Sequence, residues 1–260
     1  LYLSQKFPQA AKALDSYLRN YPESSQKNEA LYFAGDSYRQ SGDEERAFDL
    51  FKLMEQQPAS QYRVKALQQM GNIALKREDF SEALRYFKSI EGQFRSPLDE
   101  AEVIQGMMLA HFWIEEYTQA ITVANQLLVQ DELIPGSSAK ALLIKGKSQR
   151  FLNQNSAAED SFGLLIQEFS TEEAAEGLLL LALIYQEKRD FTGSNELIFD
   201  YSTPFSEFDY WYGSMFLLLA DNYLKLGEVF QAKATLQSVI DQSNDATVKE
   251  KAAATLKSLD

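Results

Sequence analysis

The sequence contains no cysteine, which excludes a disulfide framework and any thiolate metal site. It fits an oxidising or a reducing compartment equally. Only one histidine is present, His111, so there is no second imidazole for a metal pair or a proton relay. Basic residues are scarce, 25 Lys and Arg against 38 Asp and Glu, for a net charge of −13. Such a surface argues against phosphate backbones and anionic membranes as partners and favours basic ones. No apolar run approaches the roughly 18 residues of a membrane span. The longest, Leu178 to Tyr185, has the length of an interior helix, so no direct membrane insertion is expected. Gly-rich phosphate loops, nucleophile–base pairs and metal-ligand spacings are missing too. The sequence therefore points to no reaction and to no cofactor. Nor is there an initiator Met or a signal peptide. The chain opens at Leu1-Tyr2-Leu3-Ser4-Gln5, inside a structural unit, and reads as a processed or excised part of something longer.

What is present is periodic. Residues 28–58 read as two short helices joined by a tight turn. The first carries Leu31, Ala34, Gly35 and Tyr38, the turn is Ser41-Gly42-Asp43, and the second carries Ala47, Phe51 and Met54. A small residue lets two helices approach closely, and large residues one turn away fill the seam. The small residue that starts each second helix recurs at Ala10, Ala47, Ala83, Ala120, Ala158, Ser194 and Ala232. By subtraction the intervals are 37, 36, 37, 38, 36 and 38. A unit of this size, repeated in register, marks a stacked array.

This pattern resembles the tetratricopeptide repeat (TPR) family, whose units run large, large, small and aromatic on helix A, then Gly-Asp, then Ala and an aromatic on helix B. The resemblance implies an all-α fold: a right-handed superhelix, or α-solenoid, of about seven helix-turn-helix repeats. The repeats fall at about 1–27 (partial), 28–63, 64–98, 99–136, 137–173, 174–209 and 210–244. Residues 245–260 form a C-terminal capping helix with a Val248, Ala252, Leu256, Leu259 stripe. Asp79 and Glu82 have the spacing of a capping box, and Ser96-Pro97 is a good helix start. In repeat four the small position holds Met108 and the large one Ala124, which suggests a compensating size exchange in one seam. With helix A of repeat one mostly missing, the N-terminal seam is expected to stay open and to promote self-association.

In TPR arrays helix A lines the concave face, so function is sought there. Exposed positions fall between the seam residues: Gln68 and Asn72 in repeat three, Leu109 and Phe112 in repeat four, Lys147 and Arg150 in repeat five. Leu109, Phe112 and the adjacent Trp113 would form an apolar aromatic surface. Lys140, Lys145, Lys147 and Arg150 would form a basic stripe in an acidic chain. Together they could hold a protein or peptide by apolar anchors and a carboxylate. The competing reading packs Phe112 and Trp113 under linkers and leaves the lysines as a solvated face. One basic stripe is too little for nucleic acid. The clamp by which co-chaperone TPRs hold a C-terminal carboxylate is not matched, since Gln68 and Asn72 supply half of its opening pair and Leu109 follows. His111 takes a large seam position, where bonding to a carbonyl is expected. Asp43-Glu44-Glu45 and Glu172-Glu173 fall in first helical turns, where carboxylates complement free amides. Phe208 to Tyr212, the densest aromatic run, precedes the last helix A and is expected to close the seam between repeats six and seven, the alternative being an exposed docking patch.

The linker Arg19-Asn20-Tyr21-Pro22-Glu23-Ser24-Ser25, followed by Asn28-Glu29-Ala30-Leu31-Tyr32, resembles those of bacterial cell-envelope TPR proteins. Examples are the protein that accompanies the Tol-Pal system and the lipoprotein of the outer-membrane assembly machine. Phe230-Gln231-Ala232-Lys233-Ala234-Thr235-Leu236 is similar to the ends of large Bacteroidetes TPR proteins. This resemblance implies a non-enzymatic scaffold in envelope assembly, periplasmic or outer-membrane-associated in a Gram-negative bacterium. The alternatives are a regulatory or sensor arm of a larger, cytoplasmic protein, and a glycan-binding solenoid that uses Trp113 and Trp211.

Overall fold

The computed structural model describes residues 1–129 and 133–259. The chain forms two compact units, Leu1–Ile134 and Pro135–Asp260. All regular structure among the described residues is helical, in fourteen α-helices and one 3-10 turn. The first unit holds α1 (Phe7–Asn20), α2 (Lys27–Gln40), α3 (Glu44–Glu55), α4 (Gln61–Lys76), α5 (Phe80–Lys88), α6 (Pro97–Trp113) and α7 (Tyr117–Leu128). The second holds α8 (Ser137–Phe151), α9 (Asn155–Glu168), α10 (Glu172–Glu187), α11 (Phe191–Tyr201), the 3-10 turn Thr203–Phe205, α12 (Asp209–Lys225), α13 (Val229–Gln242) and α14 (Ala246–Ser258). Within each unit every helix packs on its chain neighbours. Each helix A also packs on the next: α2 on α4 and α4 on α6, then α8 on α10, α10 on α12 and α12 on α14. That is the two-layer arrangement of a solenoid.

The small residue of the repeat acts as expected. An added Cβ on Gly35 would lie 2.5 Å from the Phe51 ring, on Gly71 2.4 Å from Phe87, and on Gly146 2.5 Å from Phe162. Only hydrogen fits there, and each ring is fully buried. Met108 and Ala124 stand at the equivalent positions of α6 and α7, both wholly buried. Repeat four also uses Gly106, whose added Cβ would lie 2.6 Å from the other edge of Phe87.

The turns repeat as faithfully. Gln5, Gly42, Glu78, Glu115, Asn153, Arg189 and Gly227 all have φ between 55° and 86°, one before each helix B. Five of these seven are not glycine, and each such residue costs roughly 1 kcal/mol against a right-handed conformation. After three of these turns an aspartate caps the helix. Asp43, Asp79 and Asp190 accept from the amides of Arg46, Glu82 and Gly193 at 3.0, 3.3 and 2.9 Å. The capping box at Asp79 forms on one side only. Glu82 turns instead to Arg85, at 2.6 and 2.7 Å, which draws its carboxyl down to about 2. Ser96 caps α6 through the Asp99 amide at 3.4 Å, with Pro97 next in line.

At the N-terminus a turn stands in for helix A. Tyr2 meets Phe33 edge-on at 4.7 Å and its hydroxyl donates to Asp36, which also takes Arg39 at 2.7 Å. Tyr2 thus covers part of the seam expected to be open, while Leu1 and Leu3 remain exposed. At the other end, Val248 and Ala252 of α14 are buried and Leu256 and Leu259 half-buried on the α12–α13 core.

Candidate binding face

The helix-A face carries polar contacts between successive repeats. Gln68 on α4 donates to Glu102 on α6 at 2.7 Å, Lys147 on α8 to Glu176 on α10 at 2.8 Å, and Gln186 on α10 to Asp221 on α12 at 2.8 Å. These partners are separated by about one repeat, so stacking of like helices brings them together.

In the first unit the expected residues divide. Asn72 is exposed and Leu109 half-buried. Gln68 is only 3% exposed and Phe112 only 5%, which corrects the expectation that both lie on the surface. Phe112 packs edge-on against Trp113 at 5.4 Å and Tyr117 at 5.9 Å, so it belongs to the α6–α7 seam. The helical wheel had placed it outward because it ignores the next helix. Trp113 remains 55% exposed, with one face stacked on Phe80 at 5.5 Å.

In the second unit Lys147 and Arg150 come together around a cavity of about 230 Å³, with Phe151 and Leu180 as its apolar wall. Neither cation is a bare stripe: Lys147 pairs with Glu176 and Arg150 with Glu187, at 2.8 and 2.6 Å. These carboxylates, and Leu180 and Phe151, escaped the sequence reading. The 37-residue separation of Arg150 and Glu187, one repeat, was an available signal; Lys147 and Glu176, 29 apart, carry none. The Arg150–Glu187 pair is open to solvent on the acid side, 52% exposed, and an exposed pair is worth about 0–1 kcal/mol. Opening the Arg150–Glu187 pair therefore costs little.

His111 is a seam residue, 3% exposed, but its Nδ1 meets the Glu116 carboxylate at 2.6 Å rather than a carbonyl. Burial lowers its pKa from 6.5; Glu116 opposes that shift and Lys88 adds to it. With the folded value below the unfolded one, the unfolded chain takes up the proton first. The stability His111 contributes is thus complete above pH 6.5 and falls away as pH drops through the depressed value. Urea midpoints followed at Trp113 should decline between pH 7 and 5, and His111→Gln should flatten that slope. An unchanged slope would rule out His111 as its source. Glu172, expected to serve the helix terminus, does lie in the first turn of α10 and also accepts from Trp211 Nε1 at 3.0 Å. That bond carries Trp211 of the aromatic run from α12 onto α10.

Tetratricopeptide-repeat models match residues 1–61 and 215–243. The fold is that of a TPR α-solenoid. Among solved structures, RapI in its apo form aligns at TM-score 0.71 with 14% identity, over 98% of this chain and 77% of that one. The C-terminal part of a TPR repeat-containing protein from Cytophaga hutchinsonii aligns at 0.69 and 11%, over 96% of both chains. The apo form of the quorum sensor NprR from B. thuringiensis aligns at 0.66 and 16%, over 99% and 80%. At these identities the likeness is one of fold. No curated protein sequence matches the chain significantly. Among the described residues, no helix is long and apolar enough to cross a membrane, and no group of three or more metal-ligating side chains is present.

Proposed function

We propose that this TPR array is a non-enzymatic scaffold that holds a protein or peptide segment on the α8–α10 face. The observation that carries this reading is the cavity bounded by Lys147, Arg150, Phe151 and Leu180. It suits an apolar side chain next to an acid, because Phe151 and Leu180 supply apolar wall and Arg150 a planar cation suited to a carboxylate. On the first unit, Asn72, Leu109 and Trp113 are surface residues that we assign to protein contact in their own right, apart from the α8–α10 face. The setting we propose is the bacterial envelope, on the strength of the linker motif from Arg19 to Ser25. The partner is then a protein of the periplasmic or outer-membrane assembly apparatus.

The test is a peptide library with free or amidated termini, screened against three proteins. Selected peptides should carry an acid within a few residues of an apolar side chain. Arg150→Glu should weaken them at least about tenfold, equivalent to 1.4 kcal/mol. Glu187→Gln, which releases Arg150, should strengthen them about threefold. Selection of the same peptides by wild type and Arg150→Glu would remove this face from the assignment.

A further inference from the structure

We propose that a second cavity, of about 360 Å³ at the junction of α12, α13 and the turn into α14, receives an arginine side chain from a basic partner segment. Its wall includes Asp209, Tyr212, Phe216, Ser238, Gln242 and Ser243. It shares no residue with the α8–α10 face and selects the opposite charge, so it stands independently of that assignment.

Asp209, Tyr212, Gly213 and Phe216 follow one another at i, i+3, i+4 and i+7, which places them on one face of α12. Gly213 lets α14 close in, since an added Cβ there would lie 2.6 Å from Val248 Cγ1. Tyr212 and Phe216 stay half-buried beside it, ring centroids 4.9 Å apart and tilted by 43°. Asp209 uses one carboxylate oxygen to accept from the Asn244 amide at 2.6 Å, which anchors it in the wall. Its other oxygen takes no hydrogen bond from the described residues. Two aromatic rings and a fixed carboxylate, within reach of one cavity, form a site for a flat cation. A guanidinium stacks on the rings and donates to the carboxylate at once, whereas a compact ammonium forms a single point contact. The surroundings favour the same charge. Residues 201–216 and 234–248 contain Glu207, Asp209, Asp241 and Asp245 and no Lys or Arg, whereas Asp221, further along α12, is paired with Lys225 at 2.9 Å. An anionic ligand is disfavoured by the first four.

The experiment titrates the 260-residue chain with acetyl-Ala-Arg-Ala-amide and with its citrulline counterpart, which keeps the shape and loses the charge. Amide shifts are followed by NMR. The expected result is saturable shifts centred on Tyr212, Gly213, Phe216 and Ser243, at least tenfold weaker binding of the citrulline peptide, and loss on adding salt. Asp209→Asn preserves size and the acceptor for Asn244, so it keeps the fold while weakening arginine binding at least tenfold. Equal binding of arginine and citrulline overturns the proposal. So does undiminished binding by Asp209→Asn, as do shifts spread over the acidic surface, or no saturation at millimolar peptide.

Discussion

Phe87→Ala is expected to destabilise the first unit by about 3–5 kcal/mol, the range for deleting a fully buried aromatic ring. Phe87 on α5 is wedged between two glycines, Gly71 on α4 and Gly106 on α6, with hypothetical Cβ positions 2.4 and 2.6 Å from its ring. Glycines have no side chain to relax into the space, so the void would persist. The ring also joins two repeats, because α5 packs on both α4 and α6. In an array stabilised by nearest-neighbour interfaces, losing that contact uncouples the repeats as well. The chain's two tryptophans make the test specific, since Trp113 lies in the first unit and Trp211 in the second. In a Trp211→Phe background, urea unfolding read at Trp113 should shift strongly for Phe87→Ala. Gly106→Ala should shift it by about 1–3 kcal/mol through overpacking. Changes below about 1 kcal/mol in both would show that the ring is not the wedge described.

In the second unit the corresponding weak point is polar. Asn222, wholly buried, donates to Ser194 Oγ and to Asn195 Oδ1, both at 2.9 Å. Its own Oδ1 accepts from Gln186 at 2.7 Å, and Ser194 donates onward to the Ala182 carbonyl at 2.8 Å. One carboxamide therefore pins α10, α11 and α12 together. Asn222→Leu removes the donor to Asn195 and the acceptor for Gln186 in one step. Leaving buried polar groups unmatched costs about 1–3 kcal/mol, and a loss near the top of that range is expected here because the leucine must also fit the site. Unfolding read at Trp211 in a Trp113→Phe background measures it. Asn195→Ala should cost much less once Asn222 is gone, since members of one network are non-additive. Strictly additive losses would mean that the residues act separately.

These two sites differ in how they could be read beforehand. Phe87 and Gly71 announce themselves through the repeat: a small residue and an aromatic at a constant separation, echoed by Gly35 with Phe51 and Gly146 with Phe162. Gly106 does not, because it lies off that register and answers to the preceding repeat. Ser194 looked like one more small residue in the series from Ala10 to Ala232, and only its hydroxyl partners reveal a hub. The turns show the same limit. Gly42 is a recognisable turn residue, but nothing in Glu78, Glu115 or Arg189 announces a positive φ. Their conformation is imposed by the helices on either side.

The candidate face divides similarly. Lys147 and Arg150 were legible, since helical periodicity puts them on one side of α8. Phe112 was misplaced, because a single helix's wheel cannot show that Tyr117 from α7 covers it. Glu176 and Glu187 were absent from the reading because ion pairing depends on how α10 stacks on α8.

The sequence by itself determined the helices, their pairing and the length of the repeat, because these follow from local periodicity, caps and the spacing of small and large residues. The tertiary structure alone decided which outward positions are truly exposed, which charges are already paired, and where cavities remain between helices. Those properties depend on side chains a full repeat apart, which meet only when like helices stack.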